Sequence, residues 1–214
     1  QGFSPDLGWK HLAEASFALN KREPGASEGI PWIATNMDWT IPVGRGVAPG
    51  NGTLVSAVHL AVGRMPIVAG KPELPIFDEA KRRFETDNML FIGDRLDTDI
   101  KGAVAAGIKS ALVLTGIDNA KMALAAPRGS RPTYIVDDLR QLHEPYPETV
   151  THADGSVSVG DAHVVKRGME LVVEREGAHP LDAVRAACTL IWDSGLQIYG
   201  FDVPARLHGY MPTR

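Results

Sequence analysis

The order of elements between residues 65 and 143 limits the fold more than any other feature of the sequence. Four short apolar segments, PIVAG, MLFIGD, SALVLTG and TYIVDD, alternate with stretches of helical periodicity at residues 74–85, 99–106 and 119–124. Apolar strands of this length that alternate with helices predict a parallel sheet covered on both faces, and hence an α/β fold. Right-handed crossovers then place the carboxyl ends of the strands at one edge, where open α/β sheets bind ligands.

The residues before this region predict a further α/β piece. Residues 6–20 and 53–62 have helical periodicity, and residues 31–35 form a short apolar segment typical of a strand. Between them, the glycine-rich stretch PVGRGVAPGNG predicts a linker. We therefore expect a boundary between two lobes in this stretch.

The residues after the alternating region predict a small α+β module. Pro145 and Pro147 indicate a second linker. Strands are predicted at residues 156–159, 163–166, 169–174 and near 197–201, with a helix at 180–194. Cys188 lies on the apolar stripe of that helix, so we expect a core thiol rather than a reactive one. A module of about sixty residues is near the lower limit for folding alone, so it should dock on the rest of the protein or on another subunit.

Composition excludes several classes of protein. The chain has 214 residues, a net charge of −4 and no basic cluster, so a nucleic-acid partner is not expected. It has no apolar run of about 18 residues, so no membrane span is expected. A single cysteine permits no intrachain disulfide, which fits the expected cytoplasmic location but also fits many secreted bacterial proteins. The first residues, QGFSPDLGWK, do not have the pattern of a signal peptide and begin with Gln1, so we expect the chain to begin part-way through a longer protein.

Charged residues gather after two of the predicted strands. Lys71 follows one strand in AGKPELP, where a lysine suits a phosphate. Asp94, Asp97 and Asp99 follow another in GDRLDTDI, where three carboxylates within six positions should repel one another. Asp97 and Asp99 fall where carboxylates cap a helix N-terminus. Asp94 precedes that helix by too much to cap it, and the residues alone leave two alternatives, a Mg²⁺ ligand or a surface aspartate.

Five ordered motifs resemble a known family. The order WIATNMDWTIP, PGNGTLVSAV, GKP, IGDRLDTDI and GAVAAGIKSALVLTG resembles haloacid-dehalogenase-like (HAD-like) phosphatases of subfamily IIA, the NagD- or p-nitrophenylphosphatase-like group with an α/β C2 cap. The resemblance covers residues 1–145 and implies a Rossmann-like parallel-sheet core. It assigns residues 1–45 to the C-terminal part of the cap and residues 46–145 to the C-terminal part of the core. Residues 146–214 would be the additional α+β module.

The resemblance implies a role for each charged residue. Lys71 matches the lysine that holds the phosphoryl oxygens and screens the nucleophile, and Asp94 matches the acidic Mg²⁺ ligand. Asp99 matches the second carboxylate, which we expect to fix Lys71 or a metal-bound water. Asn36 and Asp38 match the family pattern TNxD, and they are expected either to contact the substrate or to form a turn through their own backbone. The implied activity is Mg²⁺-dependent hydrolysis of a small phosphorylated metabolite.

The same resemblance predicts that part of the site lies outside the chain. The family's nucleophile belongs to an N-terminal Asp-x-Asp motif, and the DTD at residues 97–99 is the acidic motif near the end of the core. We therefore expect the nucleophile upstream of Gln1. The additional C-terminal module makes actinobacterial glycerol-3-phosphate phosphatases the most similar group. Phosphoglycolate, pyridoxal phosphate, nucleotides and sugar phosphates are alternative substrates.

Two alternatives concern proteins or segments without this activity. The first is a catalytically inactive fragment that serves as a scaffolding or binding module. The second concerns the C-terminal module, whose strand, strand, helix, strand order faintly resembles an acetyltransferase but without the pyrophosphate-binding loop of that family. For this module we expect a regulatory role or a homodimer contact.

Overall fold

The computed structural model describes residues 1–22 and 29–212. The chain forms two compact units, Gln1–Met89 and Leu90–Arg214. The first unit contains helices α1 (Trp9–Asn20), α2 (Asn51–Val62) and α3 (Pro75–Phe84) and strands β1 (Ile33–Ala34), β2 (Thr40–Val43), β3 (Gly46–Pro49) and β4 (Ile67–Val68). The second unit contains strands β5 (Leu90–Gly93), β6 (Lys109–Val113), β7 (Tyr134–Val136), β8 (Thr149–Thr151), β9 (Val157–Val159), β10 (Ala162–Arg167) and β11 (Glu170–Arg175). Its helices are α4 (Lys101–Ala105), α5 (Ala120–Leu124), α6 (Pro180–Asp193) and α7 (Ala205–His208).

The first unit is held together by one pair of parallel strands and two helices. β1 pairs with β4, with Ala34 opposite Val68. Buried side chains from α1, α2 and the β1 region form its core: Leu19, Trp32, Ala34, Val55 and Val58. The predicted boundary at residues 45/46 therefore lies inside this unit, and the assignment of its residues to cap and core stays a prediction.

The predicted glycine-rich linker is wrong in this unit. PVGRGVAPGNG instead contributes to an antiparallel hairpin in which β2 pairs with β3 and Val43 lies opposite Gly46. Gly46 has a φ of 136°, which a residue with a side chain rarely adopts. The glycines thus permit a tight turn, and two apolar residues, Ile41 and Val43, were too few to predict a strand.

A three-stranded parallel sheet begins the second unit. Its order is β5-β6-β7, which confirms the α/β fold class. The polypeptide leaves β5 through a π-helical turn, Leu96–Ile100, which continues into α4. Gly107 ends that helical region with a φ of 67°, a left-handed conformation that favours glycine.

One part of the predicted sheet is wrong. Among the described residues, β4 of the segment PIVAG pairs with β1, and the sheet β5-β6-β7 has three strands rather than the predicted four. An apolar run predicts a strand but does not specify its partner, since strand pairing depends on distant residues.

The C-terminal residues pack on the parallel-sheet region and share its core. Strands β8 to β11 form an antiparallel sheet in the order β11-β10-β9-β8. Buried Leu171, Leu181 and Ile191 belong to the same apolar cluster as Leu124 and Ile135. The expected docking of residues 146–214 on the rest of the protein is therefore observed within the second unit.

Three local features of this region differ from or agree with the sequence analysis. The strand predicted near residues 197–201 is wrong, because Ile198–Gly200 is a 3₁₀ helix. β8 lies in the predicted linker and was missed, since all three of its residues are exposed and no apolar alternation indicates it. Cys188 is fully buried on α6, and burial raises the pKa of its thiol, as a core position requires.

Across the described residues, no helix has both the length and the apolar character needed to cross a membrane.

Candidate functional site

Asp99 holds the acidic loop that follows β5. Its side chain is buried, and Oδ2 accepts hydrogen bonds from the backbone N–H groups of Asp94 and Arg95, both at 3.1 Å. Gly93 makes room for this contact, because a Cβ added there would lie 2.4 Å from Asp99 Cβ. The carboxylate therefore fixes the backbone conformation of the loop that carries Asp94.

Asp94 is half-buried at the carboxyl end of β5. Its Oδ2 accepts a hydrogen bond from the Ile117 N–H at 2.9 Å, and its backbone carbonyl accepts one from the Asp118 N–H at 3.0 Å. A Cβ added at Gly116 would lie only 2.0 Å from Asp94 Oδ2. Within the described parts of the chain, Oδ1 accepts no hydrogen bond, so one oxygen is anchored and the other is available to a ligand.

Asp118 supports the same loop from the other side. Its Oδ2 accepts a hydrogen bond from the Leu96 N–H at 2.5 Å, and burial raises the pKa of this carboxyl group. Sequence reasoning missed Gly116, Ile117 and Asp118. A signal for them exists in LTGID, where a glycine and an aspartate follow the strand next to β5, but the pairing of β5 with β6 was needed to interpret it.

Asp97 has a different environment from its two neighbours. It is exposed, and its carboxylate accepts a bidentate pair of hydrogen bonds from Arg95, from Nε at 3.0 Å and from Nη2 at 2.9 Å. It therefore forms an ion pair at the surface rather than a cap on the helix.

The first unit brings together the other predicted residues. Lys71 Nζ lies 3.6 Å from Asp38 Oδ2, and the Lys71 backbone carbonyl accepts a hydrogen bond from the Met37 N–H at 3.0 Å. Asn36 Oδ1 accepts a hydrogen bond from the Asp38 N–H at 3.1 Å, which is a turn contact, and substrate contact by Asn36 and Asp38 stays a prediction. Asn51, which the sequence analysis did not single out, donates to the Asn36 carbonyl at 2.7 Å. The turn is thus fixed against both Lys71 and α2.

The two groups of residues lie in different compact units. Asn36, Asp38 and Lys71 belong to the first, and Asp94 and Asp99 belong to the second. Their convergence into one active site stays a prediction.

The available carboxylate oxygen of Asp94 suits a magnesium ion. Among residues 1–22 and 29–212, no three His, Cys, Asp or Glu side chains form a group that could hold a metal. Mg²⁺ commonly takes only one or two protein carboxylates and completes its octahedron with waters and substrate phosphate. One carboxylate with an available oxygen is therefore the kind of partial site that Mg²⁺ uses, whereas a structural Zn²⁺ site would require nitrogen or sulfur ligands.

Comparison of the sequence with known proteins gives a consistent result. Residues 68–142 match the HAD-hydrolase-like family. The D-glycerol 3-phosphate phosphatase of Mycobacterium tuberculosis is 47% identical over 144 residues, which are 67% of this chain and 39% of that protein. A 5'-nucleotidase of Bacillus subtilis is 37% identical over 115 residues, which are 53% of this chain and 44% of that protein.

Solved structures extend the likeness to the fold. A glycerol phosphate phosphatase from M. tuberculosis, solved in complex with magnesium, matches this chain with a TM-score of 0.76 and 35% identity. The match covers 100% of this chain and 63% of the chain of that enzyme. This chain belongs to the HAD-like hydrolases. A second HAD-like relative, the 4-nitrophenylphosphatase of Thermotoga maritima, matches with a TM-score of 0.58 and 31% identity. This match covers 67% of this chain and 53% of the chain of that enzyme.

The comparisons confirm the predicted HAD subfamily, since the structural neighbours are of the NagD- or p-nitrophenylphosphatase-like type. This HAD-like chain spans less than two thirds of each of the four relatives named above. The match to the mycobacterial structure includes the C-terminal residues, whereas the T. maritima enzyme covers only two thirds of the chain.

Proposed function

We propose that the complete protein is a Mg²⁺-dependent phosphomonoester hydrolase whose substrate is glycerol 3-phosphate. The observation that carries this proposal is the geometry of Asp94, with Oδ2 fixed by the Ile117 N–H and Oδ1 available at the carboxyl end of a parallel strand. That position is where α/β folds bind ligands. The names of the relatives support the reaction class, since they include phosphatases that act on glycerol phosphate.

Each residue has a defined part in the proposed reaction. Asp94 would hold Mg²⁺, which when bound supplies positive charge against the phosphoryl oxygens. Asp99 positions Asp94 through two backbone N–H groups. Lys71 would neutralise the transferring phosphoryl group, because phosphoryl transfer depends mainly on positioning and electrostatic stabilisation. Asp38, 3.6 Å from Lys71 Nζ, orients that side chain, and Asn36 and Asp38 would face the substrate.

The nucleophile in this proposal is an aspartate upstream of Gln1. Its carboxylate attacks phosphorus, the P–O bond to the alcohol breaks, and water then hydrolyses the aspartyl-phosphate to phosphate. The DTD at residues 97–99 does not suit this task. Asp97 is paired with Arg95, and Asp99 is buried with Oδ2 bound to two backbone N–H groups, so neither is positioned to attack.

The substrate assignment rests on the mycobacterial relatives. The likeness to the glycerol phosphate phosphatase covers the whole of this chain, including the C-terminal residues. Phosphoglycolate, pyridoxal phosphate, nucleotides and sugar phosphates are the alternatives that an assay must separate. The proposal includes a cytoplasmic location, which the single buried cysteine suits, and a homodimer.

Phosphate release by the complete protein tests this function. We expect release from glycerol 3-phosphate with a higher kcat/KM than from the four alternative substrate classes, loss of release with EDTA, and recovery with added Mg²⁺. Release that is unaffected by EDTA would refute the metal dependence. No release from any of these esters would reject hydrolysis and favour the scaffolding alternative.

A further inference from the structure

The buried Asp137, at the end of β7, contacts Tyr210 and His179 from the C-terminal part of the chain. Asp137 is only 2% exposed. The hydroxyl of Tyr210 lies 2.8 Å from its Oδ1 and 2.9 Å from its Oδ2, and His179 Nε2 lies 3.4 Å from Oδ2. A phenol that donates to a buried carboxylate is a strong, charge-assisted contact. It fixes the polypeptide after α7 at the carboxyl end of the parallel sheet.

The residues after this anchor line a cavity. Met211 and Pro212 form one side of an open cavity of about 780 Å³ in the second unit. The other sides come from three segments at the ends of β6 and β7: residues 114–117, Asn119 and residues 138–140. The cavity thus lies at the edge of the sheet where ligands of α/β proteins bind.

The loop formed by residues 114–117 connects the cavity to Asp94. Gly116 and Ile117 line the cavity, and the Ile117 N–H holds Asp94 Oδ2 at 2.9 Å. A Cβ at Gly116 would overlap Asp94, so the loop is in direct contact with that carboxylate. One side of this short loop therefore faces Asp94, and the loop also forms part of the cavity wall.

We propose that residues 210–212 form a wall that limits the size of the ester group admitted beside Asp94. This inference rests on the proposed phosphatase function. Tyr210 is a positioning residue, since it acts through its contact with Asp137, and Met211 is the side chain that fills space. The wall selects against phosphate esters whose alcohol group is larger than glycerol.

A purely structural role explains Met211 poorly. The residue is 75% exposed, so it adds little to the core. Leu207, on α7, is 2% exposed and already attaches the C-terminal segment to the apolar cluster. An anchored tyrosine followed by an exposed methionine at a cavity is an arrangement suited to shaping that cavity.

Substrate discrimination by variants of the complete protein tests the wall. Met211→Ala and a truncation after Gly209 should raise kcat/KM for glucose 6-phosphate relative to glycerol 3-phosphate by about tenfold, the usual effect of opening a sterically selective pocket. Tyr210→Phe should change the ratio in the same direction but less. Tyr199→Phe is the matched control, because Tyr199 is 87% exposed, and it should leave the ratio unchanged. An unchanged ratio in the Met211 variant and the truncation, or an equal loss for both substrates, would overturn the inference.

A second measurement does not depend on turnover. Methyl NMR of the complete protein labelled at its methionines should show a shift of the Met211 signal when glycerol 3-phosphate is added to the EDTA-treated protein, which should not hydrolyse it. Met65, which is 61% exposed in the first unit, serves as the control signal, and Met211→Leu assigns the resonance. No shift at Met211 would contradict the wall. Absence of phosphate release would refute the proposed function, whereas release with an unchanged substrate ratio would refute only the wall.

Discussion

Gly116→Ala offers the most direct test of how Asp94 is positioned. The added Cβ would lie 2.0 Å from Asp94 Oδ2, 2.3 Å from its Cβ and 2.5 Å from its Cγ, whereas ordinary van der Waals contact begins at 3.4 Å. Because the overlap includes the Cβ of Asp94, rotation of the carboxylate alone does not relieve it. The backbone of one of the two loops must move.

The size of the overlap sets the expected effect. Relief requires a displacement of about 1 Å, and misplacement of that order costs roughly 10²-fold in catalytic rate. The overpacking itself should destabilise the fold by about 1–3 kcal/mol. The backbone of Gly116 is not in the left-handed region, so contact with Asp94 rather than backbone strain is the physical cause.

The assay is Mg²⁺-dependent phosphate release by the complete protein. We expect Gly116→Ala to lower kcat/KM by about 10²-fold and to raise the Mg²⁺ concentration needed for half of the maximal rate. Gly129→Ala is the matched control, since a Cβ there meets nothing within 4 Å. Circular dichroism should show that both variants fold. A folded Gly116→Ala enzyme with the kinetics and Mg²⁺ dependence of the wild type would refute this account of Asp94.

Three further substitutions test other parts of the molecule. Asp94→Asn should abolish Mg²⁺-dependent phosphate release while leaving the circular dichroism spectrum unchanged, and near-normal release at ordinary Mg²⁺ concentrations would contradict the ligand assignment. Lys71→Ala should remove about 3 kcal/mol of transition-state stabilisation, and a loss of rate below about tenfold would exclude that role. Arg185→Ala should lower the free energy of unfolding by about 3–5 kcal/mol, because it removes the hydrogen bonds from the guanidinium group to the buried Asp182 Oδ1 and to the Ile135 carbonyl. Arg128→Ala, at an exposed position, is its control in urea denaturation.

Local sequence patterns predicted the elements that depend on local physics. β5 and the position of Asp94 at its end follow from an apolar run that stops at a polar residue, and α6 follows from its apolar stripe and Pro180 at its first position. The helical region also ends at a glycine, Gly107, whose left-handed backbone is a common local signal for a helix end. These features require no knowledge of distant residues.

Features that depend on distant residues were not predictable in the same way. The hydrogen bond from Tyr210 to Asp137 joins residues 73 positions apart, and the contact of Ile117 with Asp94 spans 23 positions. β4 carries a correct local signal but pairs with β1 rather than with β5. Strand pairing and side-chain contacts of this kind depend on which surfaces the whole fold brings together.

The crowding of three carboxylates between Asp94 and Asp99 also has a structural explanation. The sequence analysis expected these carboxylates to repel one another, but the protein itself supplies much of the compensation. Asp97 forms an ion pair with Arg95, and Asp99 accepts hydrogen bonds from two backbone N–H groups. Hydrogen bonds and ion pairs of this kind stabilise the charged form of a carboxylate. Asp94 differs because only Oδ2 has a protein donor among the described residues. Removal of Asp99 should therefore disturb the loop, whereas removal of the Asp94 carboxylate should remove the ligand itself.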